Sequence, residues 1–188
     1  MNKNFLISGS GGQGVLSMGT ILANLFMLND LFVTYCSCYG AEMRGGAVNC
    51  QINVSQKEIN SLQQEKIDYV IALNQASFDK FISKVKENGT IIVNSSLAKI
   101  SKTRQDIKYI FAPLTQEAIK LGNIKMANSI ALGLLARLLD GLSTQNLRKV
   151  YERILHNKAE LVEKNIEAFL YGFKNLQEEI QWLSEQKY

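Results

Sequence analysis

The stretch GSGGQG at residues 9–14 is the first part of the chain whose residue types and spacing suit a defined chemistry. It follows the apolar run FLI and precedes a helix-like stretch, and Gly9, Gly11 and Gly14 match the G-x-G-x-x-G pattern of nucleotide-binding loops. Glycine permits a tight turn and close approach of a ligand, and the N-terminus of the following helix favours an anion. These residues alone leave two interpretations open, a small anion or phosphate site and a purely structural turn.

A dinucleotide site has weaker support. Such a site also needs an acidic residue about 20 positions later, at the end of the second strand, to hold the ribose hydroxyls. Here that predicted strand ends in CSCYG, while Asp30 precedes it and Glu42 lies beyond it in another glycine-containing loop. A Walker-type loop is not present either, because no Gly-Lys-Ser/Thr follows the glycines and Gln13 occupies the centre of the turn.

A second unusual loop, YGAEMRGGAVN at residues 39–49, places Glu42 and Arg44 beside Gly45 and Gly46, between two predicted strands. The glycine pair lets the backbone be approached closely, and the planar guanidinium of Arg44 suits a carboxylate or a phosphate. Glu42 could pair with Arg44 or orient it. A solvated hairpin is the alternative, and periodicity does not decide between the two.

The sequence contains no complete catalytic constellation. Its single histidine, His156, lies in a polar helix connection, which we interpret as solvent-facing, and it provides no base for a hydrolase triad. Cys36, Cys38 and Cys50 fit neither a zinc site nor an iron–sulfur cluster, so we interpret them as small buried hydrophobic residues, with Cys36 and Cys38 on one strand face. Two glycine loops without catalytic residues suggest a subunit that completes the site of another chain.

Hydrophobic patterning predicts the elements that hold these loops. Strands are predicted within residues 4–8, 31–37, 47–55, 68–74, 89–95 and 106–114. Helices are predicted from Val15, over 75–87 with Gly89 as a stop, and near 115–121, 126–140, 144–155 and 158–180, with no strand after residue 115. This order predicts an α/β fold: a single Rossmann-like three-layer domain over residues 1–188, with a mostly parallel or mixed sheet and a helical C-terminal cover.

Composition narrows the function classes. The 188 residues are 46% hydrophobic and 20% charged, as in a globular protein, and the net charge of +4 includes no basic run that would indicate nucleic acid. The apolar stretches are shorter than the roughly 20 residues that span a bilayer, and no secretory signal is expected from the first residues. With an odd number of cysteines, these features predict a cytoplasmic location.

The two loops, within SGSGGQGVLSMGTILA and CYGAEMRGGAVNC, together resemble the gamma subunit of 2-oxoacid:ferredoxin (acceptor) oxidoreductases. The later stretches NSIALGLLARL, from Asn128, and KNIEAFLYG, at residues 164–172, resemble the Asn-x-x-x-Leu-Gly and Asn-x-x-Ala-x-x-x-Gly helices of that family. The resemblance covers nearly the whole chain in the expected order. The form with Met43, Asn49 and Cys50 is most similar to the 2-oxoglutarate type, ahead of the branched-chain and pyruvate types.

The resemblance implies a complex that decarboxylates a 2-oxoacid on thiamine diphosphate with magnesium, reduces ferredoxin or flavodoxin through iron–sulfur clusters, and transfers the acyl group to coenzyme A. Alpha, beta and delta chains of the family carry these groups, so this chain is expected to have no catalytic residue and no metal ligand of its own. The residues expected to face the cofactor or coenzyme A are Gly9, Gly11, Gly12, Gln13, Gly14, Tyr39, Glu42, Arg44, Gly45 and Gly46. The alternatives are a free-standing NAD(P)- or flavin-linked dehydrogenase and a non-catalytic scaffold subunit.

Overall fold

A mixed β-sheet runs through the centre of the fold. The computed structural model describes residues 2–39, 47–101, 103–139, 142–156, 158–174 and 181–182. The sheet has the order β2-β3-β1-β4-β5-β6-β7. Its strands are β1 (Asn2–Ser10), β2 (Phe32–Tyr39), β3 (Ala47–Ser55), β4 (Ile67–Ala72), β5 (Val85–Asn94), β6 (Lys108–Ala112) and β7 (Gln181–Trp182). Strands β1, β4, β5 and β6 are parallel neighbours, whereas β3 runs antiparallel to both β1 and β2.

Helices cover both faces of the sheet. They are α1 (Val15–Met27), α2 (Gln75–Phe81), α3 (Leu114–Lys120), α4 (Ala127–Leu138), α5 (Leu147–Ile154) and α6 (Ala159–Lys174), with short 3₁₀ turns at Ile82–Lys84 and Ile124–Met126. One apolar core joins α1 and α3–α6 to one face, and a second core joins α2 to the other. The central strands are therefore buried on both faces, which explains their continuous apolar runs. The predicted three-layer α/β fold is confirmed.

The region after α2 differs from its prediction. The predicted helix over 75–87 ends at Phe81, and the chain passes through a 3₁₀ turn into β5 at Val85. Gly89 is not a helix stop but lies within β5, beside a shift in the register between β4 and β5. A Cβ atom at this position would lie 2.7 Å from the carbonyl oxygen of Lys86, so the close backbone approach explains the glycine.

The C-terminal part is helical as predicted, with one exception. Helix α6 ends at Lys174, and residues 175–180 of the predicted helix lie outside the described residues. The prediction of no strand after residue 115 is wrong, because Gln181–Trp182 pair antiparallel with β6. Within the described residues, no helix combines the length and the apolarity that a bilayer span requires.

Helices α4 and α6 approach each other so closely that their backbones touch at two glycines. A Cβ atom on Gly133 would lie 2.0 Å from the carbonyl oxygen of Phe169, and one on Gly172 would lie 2.0 Å from that of Ile130. These two glycines are the last residues of the Asn-x-x-x-Leu-Gly and Asn-x-x-Ala-x-x-x-Gly patterns in those two helices. A requirement for close helix packing therefore explains both of these glycines.

A buried polar network fixes the same pair of helices and adds α5. The hydroxyl of Tyr151 donates to Ser129 Oγ at 2.9 Å, and Ser129 Oγ donates to Asn165 Oδ1 at 2.6 Å. Asn165 Nδ2 in turn donates to the carbonyl oxygen of Leu161. All three networked side chains are buried, so each polar atom needs its partner.

Candidate functional site

The two glycine loops leave the sheet at the same edge. In the β1–β3 ladder, Ser10 at the end of β1 pairs with Ala47 at the start of β3. Strand β2 ends at Tyr39, which pairs with Val48 of β3. The loop at residues 9–14 and the connection between β2 and β3 therefore emerge side by side. Of the predicted site residues, Glu42, Arg44, Gly45 and Gly46 lie in that connection, outside the described residues.

A change of winding direction creates a crevice beside the first loop. After β1 the chain crosses to α1 on one face of the sheet, whereas after β4, the parallel neighbour of β1, it crosses to α2 on the other face. Ligands of open α/β sheets bind at such switch points, beyond the carboxyl ends of the strands. A cavity of about 130 Å³ lies there, and its lining includes Gly12, Gln13, Asn94, Thr115 and Lys125.

The side chain of Gln13 anchors the first loop. Its Oε1 accepts hydrogen bonds from the backbone N–H of Ser10 at 2.7 Å and from Asn74 Nδ2 at 3.2 Å. Its Nε2 donates to the carbonyl oxygen of Leu73 at 3.2 Å. The Gln13 amide therefore ties the loop to the end of β4. This anchoring explains a glutamine in the centre of the turn, where a nucleotide-binding loop would have a small residue.

Polar residues that follow the neighbouring strands line the cavity or hold the first loop in place. Asn94, at the end of β5, donates through Nδ2 to Thr115 Oγ1 at 2.8 Å and to the carbonyl oxygen of Leu73 at 3.2 Å. Asn74, after β4, donates to Ser10 Oγ at 2.7 Å and caps α2 by accepting from the N–H of Ser77. Asn74, Asn94 and Thr115 were not among the site residues predicted from the sequence. The available signal was a polar residue directly after each buried apolar run.

Helix α1 begins shortly after Gly12 and Gln13, two loop residues that line this cavity. Gly14 is its N-cap, with a left-handed φ of 73°, so the N-cap residue offers no side chain to the first turn. The first turn also carries no acidic residue, so the partial positive charge of the helix end is not neutralised there. Lys125 brings one positive charge to the cavity, whose lining also includes the apolar residues Leu73, Leu97, Ile124 and Ala127.

The strand order explains why the usual dinucleotide arrangement does not fit. In that arrangement the second strand lies next to the first, and an acid at its end reaches the ribose. Here β3 lies between β1 and β2, and the eight residues of β2, FVTYCSCY, include no acid. The strand order therefore explains why the sequence gives only weak support for a dinucleotide site.

The remaining candidates for chemistry lie apart from the cavity. His156 is exposed, as predicted, and follows α5 with a left-handed φ of 52°. Cys50 is buried beneath α1, and burial raises the pKa of its thiol to about 12. Cys36 and Cys38 share one face of β2 but are half-buried, contrary to the prediction that they are buried. Among the described residues, no three His, Cys, Asp or Glu gather closely enough to hold a metal ion.

Comparisons with known proteins show the family to which the chain belongs. The chain matches the family described as pyruvate ferredoxin/flavodoxin oxidoreductase over residues 4–175, a stretch that includes both loops. It is 33% identical to the 2-oxoglutarate synthase subunit KorC of Archaeoglobus fulgidus, over 91% of this chain and 86% of that protein.

Two solved structures share the fold. The gamma subunit of a keto/oxoacid ferredoxin oxidoreductase from Geobacter sulfurreducens superposes with a TM-score of 0.75 at 27% identity, over 92% of this chain and 96% of that one. The 2-oxoglutarate:ferredoxin oxidoreductase of Magnetococcus marinus, solved with 2-oxoglutarate, coenzyme A and succinyl-CoA, superposes with a TM-score of 0.85 at 22% identity. This second match covers 96% of this chain but only 32% of that one.

The lengths of the relatives differ. The chain spans about a third (36%) of the ketoisovalerate oxidoreductase subunit VorA of Methanothermobacter thermautotrophicus, which it matches at 31% identity over 93% of its own length. The KorC and gamma-subunit matches, in contrast, extend over most of both partners. The chain belongs to the pyruvate ferredoxin/flavodoxin oxidoreductase family, and its counterparts of similar length are the gamma-type subunits.

Proposed function

We propose that this chain is the gamma subunit of a multi-subunit 2-oxoacid:ferredoxin or flavodoxin oxidoreductase that converts 2-oxoglutarate to succinyl-CoA. The observation that carries the proposal is that the first loop and the ends of β2 and β3, which flank the second loop in the sequence, lie at one edge of the sheet in a chain that matches the family over residues 4–175. In this proposal, residues 1–188 form one gamma-type domain.

The division of labour follows from the family. Alpha and beta subunits would bind thiamine diphosphate and magnesium, and a delta subunit would carry iron–sulfur clusters that deliver electrons to ferredoxin or flavodoxin. This chain would contribute binding groups and no reacting group. The two loops would lie against the alpha and beta subunits, in the cytoplasm.

The choice of 2-oxoglutarate rests on two observations of sequence similarity. Relatives named 2-oxoglutarate synthase subunit KorC match the chain over most of both partners. The loop that follows Tyr39 has Met43, and β3 has Asn49 and Cys50, the form typical of the 2-oxoglutarate type. Ketoisovalerate is the second candidate, because VorA relatives match at similar identity.

Coenzyme A is the ligand we assign to the sheet edge. A cavity of about 130 Å³ is smaller than the roughly 300–1,000 Å³ of pockets that enclose a whole small-molecule ligand, so it suits one group of a larger ligand. Leu73, Leu97 and Ile124 give the cavity an apolar lining, and Lys125 adds one positive charge that suits a phosphate beside it. The proposed contact residues are Gly9, Gly11, Gly12, Gln13, Gly14, Tyr39, Glu42, Arg44, Gly45 and Gly46.

Co-purification and turnover test the assignment of the whole complex. The chain would be co-expressed with its genomic neighbours, purified through a tag on it, and assayed for viologen reduction that depends on both coenzyme A and a 2-oxoacid. We expect faster reduction with 2-oxoglutarate than with pyruvate or branched 2-oxoacids. A chain that purifies alone and binds NAD or a flavin unaided would instead establish the free-standing dehydrogenase. An inactive complex without nucleotide binding would favour the scaffold.

Substitution of Arg44 tests its assignment as an anion-binding residue. A hydrogen bond between charged groups contributes about 1.5–3 kcal/mol, so Arg44→Ala should raise the KM for coenzyme A, or lower turnover, by roughly 10- to 100-fold. Arg153→Ala, in an exposed position on α5, is the matched loss of one positive charge and should leave both constants unchanged. If the Arg44→Ala complex has its normal subunit composition and its KM and turnover are unchanged, Arg44 does not bind the anion.

A further inference from the structure

Two cysteines of β2 form a feature that the proposed function does not use. Cys36 and Cys38 alternate along the strand and therefore lie on the same face of the sheet, beside Gln51 and Asn49 of β3. Both are free and half-buried, so solvent reaches this face. By contrast Cys50, on the opposite face of β3, is fully buried.

Both sulfur atoms converge on a single side-chain amide. Gln63 Nε2 lies 3.5 Å from Cys36 Sγ and 3.8 Å from Cys38 Sγ, so the two thiols are turned towards one point. Gln63 is exposed and belongs to the connection between β3 and β4. Other side chains hold that connection, since Asn53 donates to the carbonyl oxygen of Leu62. The Gln63 amide can therefore leave the two sulfurs while its connection stays in place.

The spacing of the two residues favours a bridging atom over a disulfide. Alternate residues of a strand lie about 6.6–6.8 Å apart between their Cα atoms, at the outer limit for a disulfide, and their Cβ atoms point the same way. A metal ion with metal–sulfur bonds of about 2.3 Å spans roughly 4.6 Å between two sulfurs. Thiolates select soft ions such as Cu(I).

We propose that Cys36 and Cys38 form a two-thiolate site for a soft metal ion of the Cu(I) class. Each thiol gives up its proton to solvent and forms one sulfur–metal bond, the Gln63 amide is displaced, and no electron is transferred. The site adjoins the candidate functional edge, because Tyr39 and the second glycine loop follow Cys38 directly. The inference is independent of the proposed function, since it rests on the two sulfurs and Gln63.

The test is a Cu(I) titration of the reduced full-length chain without oxygen, in competition with a chromogenic Cu(I) chelator. We expect one tightly bound Cu(I) per chain, with sulfur-to-copper absorption in the near ultraviolet and release of two protons. Loss of even an outer-shell partner weakens metal binding by about 10- to 100-fold, so Cys36→Ser and Cys38→Ser should each weaken it by more than about 100-fold. Circular dichroism checks that both variants fold.

Two further variants keep the test specific. Cys50→Ser, which alters only the buried thiol, should bind Cu(I) as the unmodified chain does. Gln63→Ala should bind at least as tightly, because the amide must leave for the ion to enter. Unmodified affinity in either the Cys36 or the Cys38 variant, or loss of binding only in the Cys50 variant, would overturn the proposal.

Discussion

Gly14 offers a quantitative test of how the first glycine loop is built. It caps α1 with φ 73°, a conformation that costs a non-glycine residue about 1–2 kcal/mol. A Cβ atom at Gly14 would also lie 2.2 Å from Asn128 Nδ2 and 3.0 Å from Asn128 Cγ, and the Asn128 amide is held because its Oδ1 accepts from the N–H of Ser129 at 2.8 Å. Relieving such overlap with a held side chain costs typically 1–3 kcal/mol. We therefore expect Gly14→Ala to lower the free energy of unfolding by about 2–5 kcal/mol.

The two costs can be separated by a double-mutant cycle with Asn128. Asn128→Ala removes Nδ2 and Cγ and leaves Asn128 Cβ, which would lie 3.4 Å from the new methyl group, an ordinary contact. In that background, Gly14→Ala should cost only the backbone strain of about 1–2 kcal/mol. The double variant should thus lose about 1–3 kcal/mol less than the sum of the single losses.

Denaturant unfolding followed by circular dichroism measures all four proteins of the cycle, with equal m-values as evidence of an unchanged transition. Gly12→Ala is the matched control, because Gly12 also has a positive φ of 91° but a Cβ atom there would meet nothing within 4 Å. Gly12→Ala should lower the free energy of unfolding by the backbone strain alone, and this decrease should be additive with the decrease caused by Asn128→Ala. Additivity within about 0.5 kcal/mol for Gly14 would refute the contact with Asn128.

Two further predictions concern the helical cover. Gly133→Ala should lower the melting temperature, because the new methyl group meets the backbone of α6. Glu167→Ala, on the exposed side of α6, is the control and should change the melting temperature little. A Gly133→Ala variant with a higher melting temperature would contradict the close contact. Burial alone would raise the pKa of Glu117, but hydrogen bonds from Lys120 and Tyr171 outweigh it and hold the pKa below its usual value. Its ionised form therefore stabilises the fold at neutral pH, and that contribution is lost as the pH falls from about 4.5 through the lowered pKa. Glu117→Gln should flatten this acid limb in pH-dependent unfolding, and an unchanged limb would contradict the assignment.

The sequence was sufficient to locate most of the elements, since the central strands are buried on both faces and appear as short apolar runs. The prediction of β3 at residues 47–55 matches the observed strand, and the other five predicted strands overlap theirs. The boundary after α2 was wrong for a physical reason. Val85 continues the helical spacing of Phe78, Phe81 and Ile82, yet it is the first residue of β5 and packs in the same core. Apolar spacing indicates which side of a segment is buried. Because Val85 is buried on the same side as the residues of α2, the spacing did not reveal the change from helix to strand.

Sequence patterns did not predict which distant residues pair with each other. The two residues of β7 are too few to carry a periodicity, and only their pairing with β6 defines them. The roles of Asn74, Asn94 and Thr115 likewise depend on which strands are neighbours. The packing of Asn128 against Gly14 joins residues that are far apart in the chain and belong to two of the matching motifs.

The insertion of β3 between β1 and β2 connects the fold to the proposed function. If β2 lay directly beside β1, its end would flank the first glycine loop, where a dinucleotide fold places its ribose-binding acid. Because β3 returns antiparallel to both strands, the connection between β2 and β3 leaves the sheet at the edge where β1 ends. That connection carries Glu42, Arg44 and the glycine pair. The same topology therefore leaves no place for a ribose-binding acid beside the first glycine loop, and it puts the ends of β2 and β3, which flank the second loop in the sequence, beside the first loop instead.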